Sequence, residues 1–453
     1  MKENRSLAIS NKIQEIKMDN ILGLLKSEFP SSILSNRTDE TNTRDRVYTV
    51  NNTLLTMVMS SIQQDKSLKN AVHLSFMLHQ DTRKEAIKSL EISMEEQIRA
   101  ESKSLKKNAG RPKKHELKMP KSLSSEISLN TAAYSKARKR VPFELAEKLF
   151  NASRIENAKN DYSHWQGHKV YIADGTYFQF QDTPELREKY EVKRNGVSGF
   201  GYPQGLLEVI QERGTGQLFS ISVSNRHTSE LALFSSMIDQ VPSKSLMLMD
   251  DLYNCYEIIA KCQRLKIEII VPAKRQRNYS LVEKLHEKDE IIRIKAPIKK
   301  SQWAINPEKS ESLLMRRIQY KTPDGKEHVL LTSILDKNIK SEEIINVFLS
   351  RWDVEISIRE IKTIMDINIV RSKTPDMAMK EIYVALATYN LIRKIIYAST
   401  KDLPFFPKED LISKFYSLNK NVFIDKKGRV YSRWSTGRRR TAANYYSTDV
   451  AET

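Results

Sequence analysis

At 453 residues the chain is too long for one small hydrophobic core, so a main domain with appended modules is expected. It carries 75 Lys and Arg against 56 Asp and Glu, a net charge of +19, which favours polyanions and makes nucleic acid the leading partner. No apolar run approaches the roughly 20 residues of a spanning helix, and the N-terminus MKENRSLAISNKIQEIKMDN lacks a signal-peptide core; a soluble, cytoplasmic protein is expected. The 2 cysteines, Cys255 and Cys262, lack zinc-ligand spacing, and the 8 histidines form no HExxH arrangement, which excludes a His/Cys metal centre.

Residues 1–107 read as a helical N-terminal DNA-binding domain built around the apolar segment Asn51 to Gln80. Residues 108–165 form a basic linker with connecting helices. Within it Gly110-Arg111-Pro112 resembles the core of an AT-hook, which lays an arginine in the minor groove, although a plain solvated linker has the same composition. Further on, Arg138-Lys139-Arg140 offers phosphate contacts.

The texture changes near His168. KVYIADGT is a short apolar run stopped by Asp and Gly, expected to be a buried strand delivering Asp174 at its carboxyl end. LLEVIQERGTGQLFSISVSN predicts a hairpin about Gly214-Thr215-Gly216. A helix follows, then the buried strand SKSLMLMDDLY ending on Asp250 and Asp251, a helix through Cys262 and the strand KIEIIVPAK. The order predicts an α/β mixed sheet flanked by helices, with residues 166–290 as its first part. Residues 291–336 alternate like strands and turn at Pro323-Asp324-Gly325, which reads as a β-strand insertion. Residues 337–399 return to helix, and residues 400–453 form a basic, aromatic C-terminal region suited to phosphate or partner contact, dimerisation being one such contact, although a partly disordered tail has the same composition.

The segment RWDVEISIREIKTIM predicts one amphipathic helix. Arg351, Glu355, Arg359 and Lys362 share a face, beside a packing stripe of Val354, Ile358, Ile361 and Met365. Glu355 could simply pair with Arg351 and Arg359, each pair contributing about 0.3–0.5 kcal/mol. Asp174-Gly175 alone could be a turn, and Asp250-Asp251 a helix cap. Together the three carboxylates suit a hard divalent cation acting on phosphodiesters.

These residues carry a resemblance. DGT at Asp174, LMLMDDLY with Asp250, and the F-x2-R-x3-E-x6-K pattern of Phe348, Arg351, Glu355 and Lys362 are similar to the three motif regions of the IS4 family of bacterial DDE transposases. That family's last motif is Y-x2-R-x3-E-x6-K, so Phe348 stands where Tyr is usual. Its second motif reads D-R-G-F/Y, so Asp251 and Leu252 replace Arg and Gly; Asp250 and Asp251 both remain open as the second ligand, with the spacing to Tyr253 favouring Asp250. The likeness runs from about Arg46 to Lys394.

The resemblance implies an RNase H-like catalytic core interrupted by the β-strand insertion, with Asp174, Asp250 and Glu355 as catalytic residues binding two Mg²⁺ or Mn²⁺ ions. It implies DNA contacts from Phe348, Arg351 and Lys362, and a flipped base received by Trp303, which could equally be a packed core residue. The implied activity is cut-and-paste transposition: end nicking, hairpin formation and resolution, and strand transfer at terminal inverted repeats. The implied assembly is a homodimer bridging two double-stranded DNA ends. The competing expectations are an RNase H-like nuclease without strand transfer and a catalytically inactive or domesticated DNA-binding protein.

Overall fold

The apolar runs that organise the chain become buried central strands in a computed structural model, which describes residues 27–30, most of 48–96, 130–156, 163–192, 201–274, 278–298, 311–322, 325–400, 422–424 and 430–432. Two units divide the chain, Met1–Ile13 with Ala146–Lys414 and Gln14–Leu145 with Phe415–Thr453.

In the larger unit, one ten-stranded sheet runs in the order β4-β3-β2-β5-β6-β10-β9-β8-β7, with β1 (His164–Trp165) paired to β2. Its first half consists of β2 (His168–Gln179), β3 (Gln204–Glu212), β4 (Leu218–Asn225), β5 (Ser245–Leu248) and β6 (Glu268–Pro272). β2, β3 and β4 pair antiparallel, whereas β2, β5 and β6 pair parallel. This is the mixed sheet flanked by helices expected from the sequence. The parallel strands need covered faces, and two helices pack on one of them: α3 (Glu230–Met237) and α4 (Tyr256–Arg264). Tyr171, Ala173, Ile210, Met247 and Ile269 from the sheet meet Phe234, Met237, Ile258 and Ile259 from these helices in one core. Each fully buried aliphatic side chain there contributes about 1.5–3 kcal/mol.

The expected hairpin forms between β3 and β4, with Gly216 at φ +68°. Two local expectations change. β2 does not stop at Asp174-Gly175 but continues to Gln179, because β3 keeps pairing with it through Asp174↔Val209 and Gly175↔Glu208. Only the parallel partner β5 ends early, its last pair being Ile172↔Leu248.

After β6 come β7 (Tyr279–His286), β8 (Asp289–Lys295), β9 (Ser312–Lys321) and β10 (Glu327–Thr332), an antiparallel meander. β7 already begins at Tyr279, ahead of Ile291. The meander does not form a separate sheet: β10 pairs antiparallel with β6, so the strands extend the main sheet. Inside it Arg316 and Asp289, both buried, form an ion pair at 2.5 Å, and Arg316 also donates to the carbonyls of Asp336 and Ile339 at 2.8 Å. These bonds satisfy most of a guanidinium that burial would otherwise leave costly.

The chain then returns through α5 (Ser341–Leu349), a 3₁₀ turn at Ser350–Trp352, and α6 (Asp353–Arg359). A π-turn at Glu360–Ile364 follows, and then the long α7 (Pro375–Thr400). The single helix expected over Arg351 to Met365 is thus three segments. The π-turn, closed by Met365 N–H to the Glu360 carbonyl at 3.0 Å, surrounds a buried carboxylate: Glu360 accepts from Arg393 of α7 at 2.7 Å. The expected stripe buries Val354, Ile361 and Met365, while Ile358 is half-buried.

In the smaller unit α1 (Val50–Ser61) and α2 (Thr131–Arg140) pack together, α1 capped by the Thr49 hydroxyl and α2 by the Asn130 side chain. Strands β11 (Val422–Ile424) and β12 (Val430–Ser432) pair antiparallel. Among the described residues no helix is long and apolar enough to cross a membrane.

Candidate active site

The parallel register of β2 and β5 sets the first two carboxylates. Ile172 pairs with Leu248, and two residues beyond that last pair lie Asp174 and Asp250. Side chains alternate across a strand, and Ala173 belongs to the core under α3 and α4, so Asp174 points to the other face. That is the face on which α6 packs against β2. Asp174 accepts the Gly175 N–H at 3.0 Å. Burial pushes its carboxyl up to about 6; the Gly175 N–H and the Arg351 charge pull it down, and the charges of Asp250 and Glu230 push it up again.

Asp250 caps the 3₁₀ turn Asp251–Tyr253, accepting the Leu252 N–H at 2.5 Å. Its neighbour Asp251 is turned elsewhere and accepts the Lys274 N–H at 3.0 Å. Of the two aspartates left open by the sequence, Asp250 is the one whose charge acts on Asp174.

Glu355 sits on α6, and Arg351, one turn earlier, donates to it at 3.0 Å. Arg359 is exposed, so the pair with Arg351 carries the interaction. Lys362, in the π-turn, donates to Thr176 of β2 at 3.2 Å, two residues along from Asp174 and on the same strand face. One strand and one helix thus bring Asp174, Arg351, Glu355 and Lys362 to a common surface, with Asp250 at its edge.

Other expected residues lie apart. Phe348 is buried on α5, where its ring packs inside rather than facing solvent. Arg138 stacks at 6.0 Å over Tyr134, and Arg140 donates to the Tyr48 carbonyl at 3.4 Å, both within α2's own unit. Arg111 and Trp303 lie outside the described residues, as do Gly110-Arg111-Pro112 and most of the basic C-terminal region.

Sequence reasoning missed three residues here, Trp352, Glu208 and Glu230, and gave Tyr253 only as a motif aromatic. Trp352 is 59% exposed beside the site, with the Arg351 guanidinium 5.4 Å from its ring centre. Its sequence signal was an aromatic off the apolar stripe of its helix. Glu208, Glu230 and Tyr253 lie behind Asp174: the Tyr253 hydroxyl bonds Glu208 at 2.7 Å and Glu230 at 2.9 Å. Burial raises the carboxyl of Glu208 well above the usual range and that of Glu230 as well. Single carboxylates on separate elements leave no spacing to read.

The donor set is chemically right for a hard divalent cation: oxygen ligands on rigid elements, with a poorly solvated Asp174 facing like charge. Among the described residues, however, no three His, Cys, Asp or Glu side chains are gathered into a ligand shell. Asp250 adds like charge to Asp174, while Glu355 is paired with Arg351.

Comparison with known proteins fits this geometry. The transposase DDE domain family matches residues 165–391. The transposase InsG of insertion sequence element IS4 from Escherichia coli (strain K12) is 25% identical over 273 residues, 58% of this chain and 60% of that protein. The putative transposase InsZ of the same strain is 28% identical over 138 residues, covering 29% and 45%. The match thus spans less than two thirds of these curated relatives. A cryo-EM structure of the piggyBac transposase synaptic complex with hairpin DNA aligns to 90% of this chain and 79% of that one at 10% identity and a TM-score of 0.39, a likeness too slight to bear on fold or function. The family match covers half of the chain, including the strands and helices that bear Asp174, Asp250, Glu355 and Lys362, and the chain belongs to the transposase DDE domain family, of the IS4 type.

Proposed function

We propose that this protein is a metal-dependent DNA transposase that cuts and pastes an element bounded by terminal inverted repeats. The observation that supports the reading is a chain of contacts: Arg351 pairs with Glu355 and its charge acts on Asp174, Asp250 acts on Asp174 as like charge, and Lys362 bonds Thr176 on the same strand. Asp174, Asp250 and Glu355 are the residues that would hold Mg²⁺ or Mn²⁺, two ions per site. Bound there, the cations supply Lewis-acid stabilisation of the phosphodiester and a nucleophile at neutral pH.

The chain's own residues do the rest. Arg351 and Lys362 flank the carboxylates and neutralise phosphates of the DNA end, holding it along α6. The exposed Trp352 ring offers a stacking surface beside them. Buried strands hold Asp174 in place, so little reorganisation is needed when DNA arrives. Nicking, hairpin formation and resolution, and strand transfer at the same surface make up the proposed reaction, carried out by a homodimer that bridges two ends of double-stranded DNA in the cytoplasm at the nucleoid.

The test is cleavage of a supercoiled plasmid bearing the element's flanking repeats, with Mg²⁺ or Mn²⁺, by wild type and Glu355→Ala. Cuts at the repeat ends that vanish in the variant are the expected result, with hairpin ends tying the protein to the full reaction. Open nicks without joining to target DNA would make it a nuclease without strand transfer. Binding without cutting would make it a catalytically inactive or domesticated DNA-binding protein.

A further inference from the structure

The parallel ladder that aligns Asp174 with Asp250 stops two residues short of both. Asp174 stays anchored by β3, because β2 continues to pair there. Asp250 belongs to no strand, and its carboxylate bond to Leu252 is internal to its own turn. On the β6 side the turn is tied by the Lys274 N–H to Asp251 at 3.0 Å and by Asn254 to the Pro272 carbonyl at 2.9 Å, so what remains to be set is its position towards β3 and α3.

We infer that the hydroxyl of Tyr253 is a pin that fixes the Asp250 turn against β3 and α3, with Glu208 and Glu230 as its two partners and Gly175 as the clearance that lets them meet. Tyr253 is the last residue of the Asp250-capped turn and is fully buried, its ring edge-on to Phe234 of α3 at 4.9 Å. Its hydroxyl reaches Glu208 on β3 at 2.7 Å and Glu230, the first residue of α3, at 2.9 Å. Glu208 lies directly across from Gly175, the residue after Asp174. A Cβ at position 175 would stand 2.5 Å from the Glu230 carboxyl carbon and 2.9 Å from Glu208 Oε2, so only glycine lets the two glutamates close behind Asp174. The pin therefore joins three elements at the position where the ladder ends.

Its chemistry is specific. One hydroxyl carries one proton and cannot donate it to two carboxylates, so one of the two carboxyls donates in return. Glu208 is fully buried, and its Oε2 has no hydrogen-bond partner among the described residues, which favours the neutral acid there. By strand alternation Glu208 points to the face opposite Asp174. These three are thus positioning residues that act through Asp250, not ligands.

The inference rests on the proposed metal-dependent reading, and its test uses the full chain with Mn²⁺ as probe. Calorimetric titration gives affinity and number of ions bound, and plasmid cleavage is followed in parallel. Tyr253→Phe, folded by circular dichroism and melting cooperatively, is expected to bind the same number of Mn²⁺ ions about 10-fold more weakly and to lose cleavage in step. Glu208→Gln, which keeps a partner for the hydroxyl, is expected to stay within about threefold of wild type, whereas Glu208→Leu should behave like Tyr253→Phe. If Tyr253→Phe does not fold, Glu230→Leu serves: weaker affinity at unchanged stoichiometry supports the pin. A smaller number of ions bound by Glu230→Leu would make Glu230 a ligand and overturn it. Wild-type affinity in Tyr253→Phe would overturn the pin alone, whereas wild type that binds no Mn²⁺ would overturn the metal-dependent reading and the pin together.

Discussion

Arg351 holds Glu355 at 3.0 Å, and the same positive charge lowers the proton affinity of Asp174 on the neighbouring strand. One guanidinium thus serves two of the three carboxylates proposed as metal ligands. An arginine in that position competes with a cation for Glu355, yet it is also placed to hold a DNA phosphate.

The two roles separate on substitution. Arg351→Gln is expected to bind Mn²⁺ several-fold more tightly than wild type, because Glu355 is released, while cleaving DNA ends about 100-fold more slowly, the usual cost of removing one electrostatic stabiliser. Calorimetry and single-turnover cleavage on the same preparation check both halves. A parallel loss of affinity and rate would contradict the competition.

Asp174 makes the folded protein sensitive to pH. Its folded-state value of about 6 lies above its ordinary 3.8, so between those two pH values the folded chain holds a proton that the unfolded chain has released. Stability is therefore greatest below about pH 4 with respect to this group and is lost as pH rises towards 6 and beyond. At about 1.4 kcal/mol per pKa unit, ionised Asp174 costs up to about 3 kcal/mol at neutral pH. Asp174→Asn is expected to raise the melting temperature of the metal-free protein at pH 7.5, with little effect at pH 4, while abolishing cleavage. Thermal melts at the two pH values check the sign.

Gly175→Ala places a methyl group against Glu230 and Glu208. The expected cost is about 1–3 kcal/mol, as for overpacking elsewhere. Adding Glu230→Ala to that variant removes the nearest contact and should recover part of the loss, giving a measurable coupling in a double-mutant cycle by urea unfolding.

The π-turn after α6 is tied down by the buried pair Glu360–Arg393 at 2.7 Å, with side-chain exposures of 1% and 7%. Glu360→Ala leaves a buried guanidinium uncompensated and is expected to cost about 3–5 kcal/mol, whereas replacing both residues by Met should cost much less. Urea unfolding of the single and double variants distinguishes these outcomes. Because the π-turn carries Lys362, the single variant should also weaken the Lys362–Thr176 contact and with it DNA-end binding.

Much of the architecture was legible because apolar runs and their breakers mark strands locally. LMLMD and IEIIVP read as strands, which pair in parallel in the sheet, and Gly214-Thr215-Gly216 announced the hairpin that forms. Asp174, Asp250 and Glu355 stood out because each carboxylate adjoins an apolar run or stripe. The resemblance makes Phe348 a DNA contact, but its place in a motif says nothing of which side of α5 packs inward, and it is buried. Glu208 escaped notice because an acidic residue inside a strand of otherwise apolar character has a meaning only once Tyr253 and Glu230, distant in sequence, close on it.

By itself the sequence determined the charge balance that favours a polyanion, the order of strands and helices, and the identity and spacing of the acidic and basic side chains, because these depend on residue type and on periods of 2 and 3.6 within short windows. The tertiary structure decided the rest. The β2–β5 ladder ended two residues before Asp174 and Asp250, pairing with β3 carried β2 past Asp174, and the β6–β10 ladder made the inserted strands part of one sheet. A buried ion pair far along the chain shaped the turn that carries Lys362. Such features come from hydrogen bonds and packing between segments tens to hundreds of residues apart, whose balance no local pattern encodes.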